Sequence, residues 1–245
     1  MLGRTMSLDR FWYELRIMGK WVLIIPLLIM LSFAFLAAML TLMQVSHLRI
    51  SQVLTASLEM VLPLAAGLLI TTIISHDTAI EIQLTMPNTY RVTAFVRLSL
   101  IIAWSGCIAL FSSVFIYHLR FWRVPSQVET WKVLTQFLIG QLTWVAPLLW
   151  FVGVALCLAL LIRSRSASSA LLGGIWTVEA IFYGYFAITA WLKPVFLFPT
   201  TLAPDINFWL SNRFELLVTA LVLILLGWFL MHNTELLLQE AAGEE

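Results

Sequence analysis

The chain has 245 residues, 61% of them hydrophobic and 11% charged, with a net charge of +1 and a mean hydropathy of +0.96. A soluble domain carries roughly 25% charged residues, so this chain has too little polar surface to cover a water-soluble fold. A near-neutral chain without a basic stripe offers phosphates no electrostatic footprint, which argues against nucleic acid as a partner.

Residues 1–20 run polar and amphipathic. Leu8, Phe11, Trp12, Leu15 and Met18 recur at helical spacing opposite Asp9, Tyr13, Arg16 and Lys20. That pattern predicts an interfacial helix lying along the membrane. It serves as a simple anchor, or as an elbow that also helps hold a cytoplasmic partner. The apolar stretch behind it is long enough to span, and no small-residue cleavage pattern follows, so the segment reads as retained rather than as a signal peptide.

A hydrocarbon core of about 30 Å needs about 20 apolar residues in a helix. Six segments meet that requirement: Trp21–Met43, Val53–Ser75, Leu98–Tyr117, Phe137–Ile162, Ala167–Ala190 and Phe214–Met231. Continuous apolar runs lack the alternation of a β-barrel. The predicted fold is an all-α integral membrane protein: an interfacial helix over 1–20, a six-span domain over 21–231 and a cytoplasmic tail over 232–245. Arg4, Arg10, Arg16 and Lys20 precede the first span, and Arg91, Arg97, Arg163 and Arg165 fall on the same side. Arg49, Arg120, Arg123, Lys132, Lys193 and Arg213 fall on the other. The bias is strongest at the N-terminus, which places both termini in the cytoplasm.

The second connection, 76–97, allows a short helix over 77–85, with Asp77 as its N-cap, Pro87 beyond its end, and Asn88 or Thr89 capping the helix into span three. Ile80 and Leu84 share one face of it. In the fifth connection, 191–213, Pro194, Pro199 and Pro204 prevent one long helix, while the apolar and aromatic composition does not suit a solvated loop. Short helices dipping into the outer leaflet, protected by neighbouring spans, are predicted there.

Chemistry is sparse. There is no H-E-x-x-H pair, no G-x-S-x-G elbow and no G-x-x-x-x-G-K-[ST] phosphate loop. No catalytic or metal-binding set is predicted, and the chain is read as a non-enzyme that binds no cofactor itself. Cys107 and Cys157 fall inside apolar segments, and His47, His76, His118 and His232 at segment ends. Glu59, Glu179 and Glu215 are the ionisable residues inside the spans. Glu215 and Glu59 lie close enough to span ends to reach water. Glu179, at mid-span, must face protein or a water-filled cavity, because lipid exposure of an acid at that depth costs about 2.5–3.5 kcal/mol. Glu59, Glu179 and the neighbouring Tyr183 are candidates for a substrate pathway, with a hydrogen-bonded structural role as the alternative for Glu179. Span five also carries a stripe of small residues, Ser166, Ser169, Gly173, Thr177, Ala180, Gly184 and Ala187, suited to close approach of another helix in this chain or another.

Taken with the six spans and the elbow helix, the second connection resembles that of the type-2 ABC transporter permeases, the six-span subunits of ATP-driven exporters. Members carry G-T-x-E-x-L-L-x-x-P-x-x-R after span two. Glu81, Leu84 and Pro87 fall in register; Thr78 and Ala79 replace the Gly-Thr pair, and Arg91 lies one position late. The resemblance implies a pathway formed with a second permease copy or homologue, in membrane lipid, in a bacterial cytoplasmic membrane. It also implies separate ATPase subunits that bind ATP and Mg, gripped through Asp77, Ile80, Glu81, Leu84, Pro87 and Arg91. An intramembrane enzyme centred on Glu179, and an ATP-independent transporter or assembly subunit, are the alternatives. The transported substrate is not legible.

Overall fold

The computed structural model describes residues 18–75, 87–123, 125–162 and 164–231. Every regular element among the described residues is helical: α1 (Trp21–Leu42), α2 (His47–Ala56), α3 (Leu62–Ser75), α4 (Pro87–His118), α5 (Val133–Gly140), α6 (Leu142–Ile162), α7 (Arg165–Ile181), α8 (Tyr183–Ile188), α9 (Pro199–Leu202) and α10 (Trp209–Leu230). A π-helical turn, Ser57–Val61, joins α2 to α3 without a break, and 3₁₀ turns occupy Ser126–Val128 and Lys193–Val195.

Among the described residues five helical stretches are long and apolar enough to cross a membrane: Trp21–Leu42, His47–Ile74, Arg91–His118, Val133–Ile162 and Trp209–Leu230. The predicted fifth span, Ala167–Ala190, is broken instead. Phe182 takes φ −98°, ψ 21°, and ends α7 one residue before α8 begins. The pieces hold 17 and 6 residues, so neither alone reaches the length that a bilayer needs. Several helices run past the predicted span ends, because polar flanking residues are engaged in the bundle and need not mark a helix boundary. Ser51 Oγ, in α2, donates to the Phe121 carbonyl at 2.7 Å, and Gln52 Nε2 donates to the Thr201 carbonyl at 3.0 Å. Pro87 is the first residue of α4, so Asn88 and Thr89 lie inside the helix rather than capping it. A proline suits a first helical position, where its missing N–H is not needed. Of the predicted interfacial helix over 1–20 only residues 18–20 are described, and the predicted short helix over 77–85 and the tail over 232–245 lie wholly outside the described residues.

At the centre of the bundle α6 packs between α3 and α10. Glycine permits both close approaches. A Cβ on Gly153 would stand 2.9 Å from Leu223 Cβ and 3.2 Å from the Ala220 carbonyl of α10, and one on Gly67 of α3 would stand 3.3 Å from the Phe151 carbonyl of α6. Phe151, Leu156, Leu58 and Ile70 fill the space between. The outward faces of α1 (Leu28, Leu31, Phe35) and α10 (Val218, Leu225, Phe229) are exposed and apolar. Continuous apolar faces of this size mark contact with lipid or protein rather than water.

Contacts sort the connections to two ends of the bundle. The first and third meet where His47 stacks on Phe121 (centroids 4.4 Å apart), and the third meets the start of α10 where the Leu210 amide donates to Gln127 Oε1 at 2.9 Å. Gln52 ties the fifth connection to the same end. At the opposite end Ser168 Oγ donates to the Leu158 carbonyl at 3.1 Å, and Arg91 Nε donates to the Met231 carbonyl at 2.9 Å.

Candidate functional site

Among the described residues the fifth connection is the most deeply buried irregular backbone. Phe196, Leu197 and Phe198 are completely enclosed, as are the neighbouring Trp209 and Thr200. Irregular backbone shut away from water must find partners for its N–H and C=O groups in the protein. Side chains from three separate stretches supply them, which agrees with the predicted protection by neighbouring spans.

Glu59 is delivered by the π turn. Pro63 has no N–H to give to the Glu59 carbonyl, and its ring would crowd that oxygen in a regular helix. Widening the turn accommodates both: the Leu62 amide reaches back five residues to the Ser57 carbonyl. Ser57 Oγ donates to the Leu54 carbonyl at 2.7 Å and Thr55 Oγ1 to the Ser51 carbonyl at 2.9 Å, occupying lone pairs beside the loosened turn. The Glu59 carboxylate then accepts from the amides of Thr200 (3.0 Å) and Thr201 (2.6 Å) at the start of α9. Glu59 therefore does from another helix what an N-cap side chain does locally.

Arg213, in the second turn of α10, completes the arrangement. Its Nη2 donates to Glu59 Oε1 and, at 3.0 Å, to Thr200 Oγ1, while Nη1 donates to the Leu197 carbonyl at 3.0 Å. Both members of the ion pair are 0% exposed. Trp209, one turn earlier, lies 5.6 Å from the guanidinium carbon and donates its indole N–H to Thr200 Oγ1 at 2.9 Å. Asn212 Nδ2 donates to the carbonyls of Lys193 (2.7 Å) and Phe196 (2.9 Å). Glu179 of α7 is 2% exposed and accepts the Leu197 amide. Trp176, one turn before it, donates to the Met60 carbonyl in the π turn at 3.1 Å and packs edge-on to Phe198. The result is a polar clasp around residues 193–201, closed by aromatic rings.

Of the candidate pathway residues, Glu59 and Glu179 thus meet at the same piece of backbone, and Tyr183 does not join them: it is 41% exposed on α8. Glu59 is enclosed rather than within reach of water, and Glu215 is exposed at the outer turn of α10. The small-residue stripe is only partly filled. Ser169 Oγ lies 3.0 Å from Thr71 Oγ1 of α3, whereas nothing comes within 4 Å of a Cβ placed on Gly173 or Gly184. Among the coupling candidates, Asp77, Ile80, Glu81 and Leu84 lie outside the described residues, as does the Pro87 side chain; Arg91 holds the end of α10 through Met231.

Sequence reasoning missed Arg213, Asn212, Thr200, Thr201 and Trp209. The predicted sixth span begins at Phe214, which leaves Arg213 in the fifth connection, whereas α10 begins at Trp209 and takes Arg213 into its second turn. A signal existed: two acids buried in apolar spans call for a cation, and Arg213 is the basic residue closest to a span end in the apolar fifth connection.

Among the described residues no three His, Cys, Asp or Glu side chains come together to hold a metal. Both carboxylates face backbone amides, and Glu59 also faces a guanidinium, so the chemistry on offer is binding and positioning. Comparison with known proteins adds no relative: no family model, no curated protein and no solved structure matches this chain.

Proposed function

We propose that this chain is the transmembrane permease subunit of an ATP-driven ABC exporter, working with a second permease and separate ATPase subunits in the bacterial cytoplasmic membrane. The reading rests on one observation above the others: Glu81, Leu84 and Pro87 stand in the register of the family's cytoplasmic coupling segment, directly after an apolar span. The position of that segment agrees with it. Residue 75 ends α3 and residue 87 begins α4, and the start of α4 meets the end of α10 through Arg91 and Met231, at the opposite end of the bundle from the clasped connection.

On this reading the chain crosses the membrane six times, with α7 and α8 together making the fifth crossing. At 1.5 Å per residue the 23 residues of the two helices (17 and 6) would extend about 34 Å, enough for the hydrocarbon core. The clasp would hold the outer re-entrant segment as a fixed plug or rim beside the pathway, and the coupling segment would carry ATPase closure to α3 and α4.

The coupling segment supplies the test. Ile80 and Leu84 are apolar anchors, and burying a leucine is worth about 1.5–3 kcal/mol; a rim charge such as Glu81 is screened and contributes less. Ile80→Asp and Leu84→Asp are expected to insert normally but to lose the co-purifying ATPase and its substrate-stimulated hydrolysis, with Glu81→Ala milder. Unchanged ATPase retention and hydrolysis in both aspartate variants would remove the exporter reading.

A further inference from the structure

A groove of about 430 Å³ opens on the outside of the bundle where the C-terminal end of α4 diverges from α5, lined by Val114, Tyr117, His118, Val133, Leu134 and Phe137. Its walls are set by aromatic packing: Tyr117 meets Phe137 edge-on with centroids 5.2 Å apart, and Phe137 packs on Trp122, whose ring in turn lies 3.0 Å from where a Gly140 Cβ would stand. Five of the six lining residues are apolar or aromatic, and Val133 and Leu134 are more than 60% exposed within the chain. The rim is cationic. His118 ends α4, and Arg120 follows two residues on in the left-handed turn (φ 62°) that closes the helix. Lys132 immediately precedes Val133, and Arg123 lies on the same connection, against a single acid, Glu129. Arg120, Arg123 and Lys132 make no ion pair or side-chain hydrogen bond with described residues, so their charge is uncommitted among them.

We infer that this groove is a binding site for an anionic phospholipid, with an acyl chain lying between α4 and α5 and the headgroup phosphate held at the rim by Lys132 and Arg120. The apolar walls match an acyl chain. The position of the cations, at the last turn of a membrane-length helix and the start of the next, matches the depth of a headgroup. Net positive charge at the rim selects an anionic head over a zwitterionic one. The middles of the exposed faces of α1 and α10 carry no charged residue that would hold a headgroup.

Phosphatidylglycerol carrying a diazirine on one acyl chain, reconstituted with the purified chain and any co-purifying partners in vesicles, tests this by photolabelling and peptide mapping. Label should concentrate on residues 114–118 and 133–137, several-fold above α10 residues 218–229. The phosphatidylcholine probe of the same chain should lose most of that excess. Leu134→Trp, which fills the groove, should lower the label there several-fold, and Lys132→Gln with Arg120→Gln should abolish the headgroup preference while leaving the far-side labelling unchanged. Even labelling of all exposed helices, or equal labelling by both lipids, would overturn the site. None of these outcomes depends on an ATPase being present, so the site and the exporter reading fail separately.

Discussion

Arg213 carries a large electrostatic cost, since a fully enclosed guanidinium has surrendered several kcal/mol of hydration. That cost is offset only because Glu59, Thr200 and the Leu197 carbonyl surround it. Removing one partner therefore hurts more than removing the pair. Arg213→Leu leaves the Glu59 carboxylate buried without a cation, and a loss of about 3–5 kcal/mol is expected. Glu59→Gln strands the guanidinium in the same way. The double variant Glu59→Gln/Arg213→Met restores neutrality and should recover a measurable part of the sum in thermal unfolding of the detergent-purified protein; strictly additive losses would show that the two side chains do not act as a pair. Glu179 is a milder case, because it serves the Leu197 amide and makes no ion pair with Arg213 among the described contacts. Glu179→Gln keeps an acceptor oxygen and should unfold close to the parent. Glu179→Leu orphans a buried N–H, at a cost of about 1–3 kcal/mol, and equal midpoints for the two variants would place the Leu197 amide in another hydrogen bond.

Helix packing depends on which glycines face a backbone. Gly153 meets Leu223 Cβ and the Ala220 carbonyl of α10, atoms that cannot move without shifting the helix. Gly153→Val should therefore destabilise by about 1–3 kcal/mol through overpacking. Gly173 and Gly184 face open space. Gly173→Ala should be neutral or stabilise by up to about 1 kcal/mol through reduced backbone entropy, unless a second chain packs there in the assembled protein; loss of assembly with an intact fold would then locate the stripe's partner outside this chain. The contrast between these glycines also shows what was legible in the sequence. The helical class and the apolar runs followed from composition and length alone, because burial of backbone polar groups in lipid leaves helices as the remaining choice once alternation is missing. The burial of the 191–213 connection was legible from its prolines and aromatics. The break at Phe182 was not, and neither were the extension of α10 back to Trp209 and the capture of Arg213, which depend on contacts between residues far apart in the chain, such as Leu210 with Gln127 and Arg213 with Glu59. The π turn was not legible either, since Pro26 and Pro147 sit inside helices without one; only the position of α9 explains why Glu59 needed the extra reach.

At the scale of the whole molecule the open question is how many times the chain crosses the membrane, and the two ends of the bundle make it answerable. The first, third and fifth connections are joined to one another through Phe121, Gln127 and Gln52, while α7 begins beside the end of α6 through Ser168. Between Ser126 and Ser164 the chain holds one continuous apolar stretch, α5 and α6, so those two positions should lie on opposite sides. Between Ser164 and the exposed Asp205 it holds α7, the break at Phe182, α8 and the clasped connection. If α7 and α8 together complete a crossing, Asp205 returns to the side of Ser126; if they turn back at Phe182, it stays with Ser164. Single cysteines placed at 126, 164 and 205, in a background of Cys107→Ala and Cys157→Ala, decide between these with a membrane-impermeant maleimide on intact cells. If the cations Arg4, Arg10, Arg16 and Lys20 hold the N-terminus inside, as the charge bias predicts, Ser126→Cys and Asp205→Cys should label without permeabilisation. Ser164→Cys, and Gln83→Cys in the second connection, should label only after it. Labelling of 126 and 205 on opposite sides would leave five crossings and an external C-terminal end for α10. Labelling of 83 from outside would invert the chain and take the coupling segment away from any cytoplasmic ATPase.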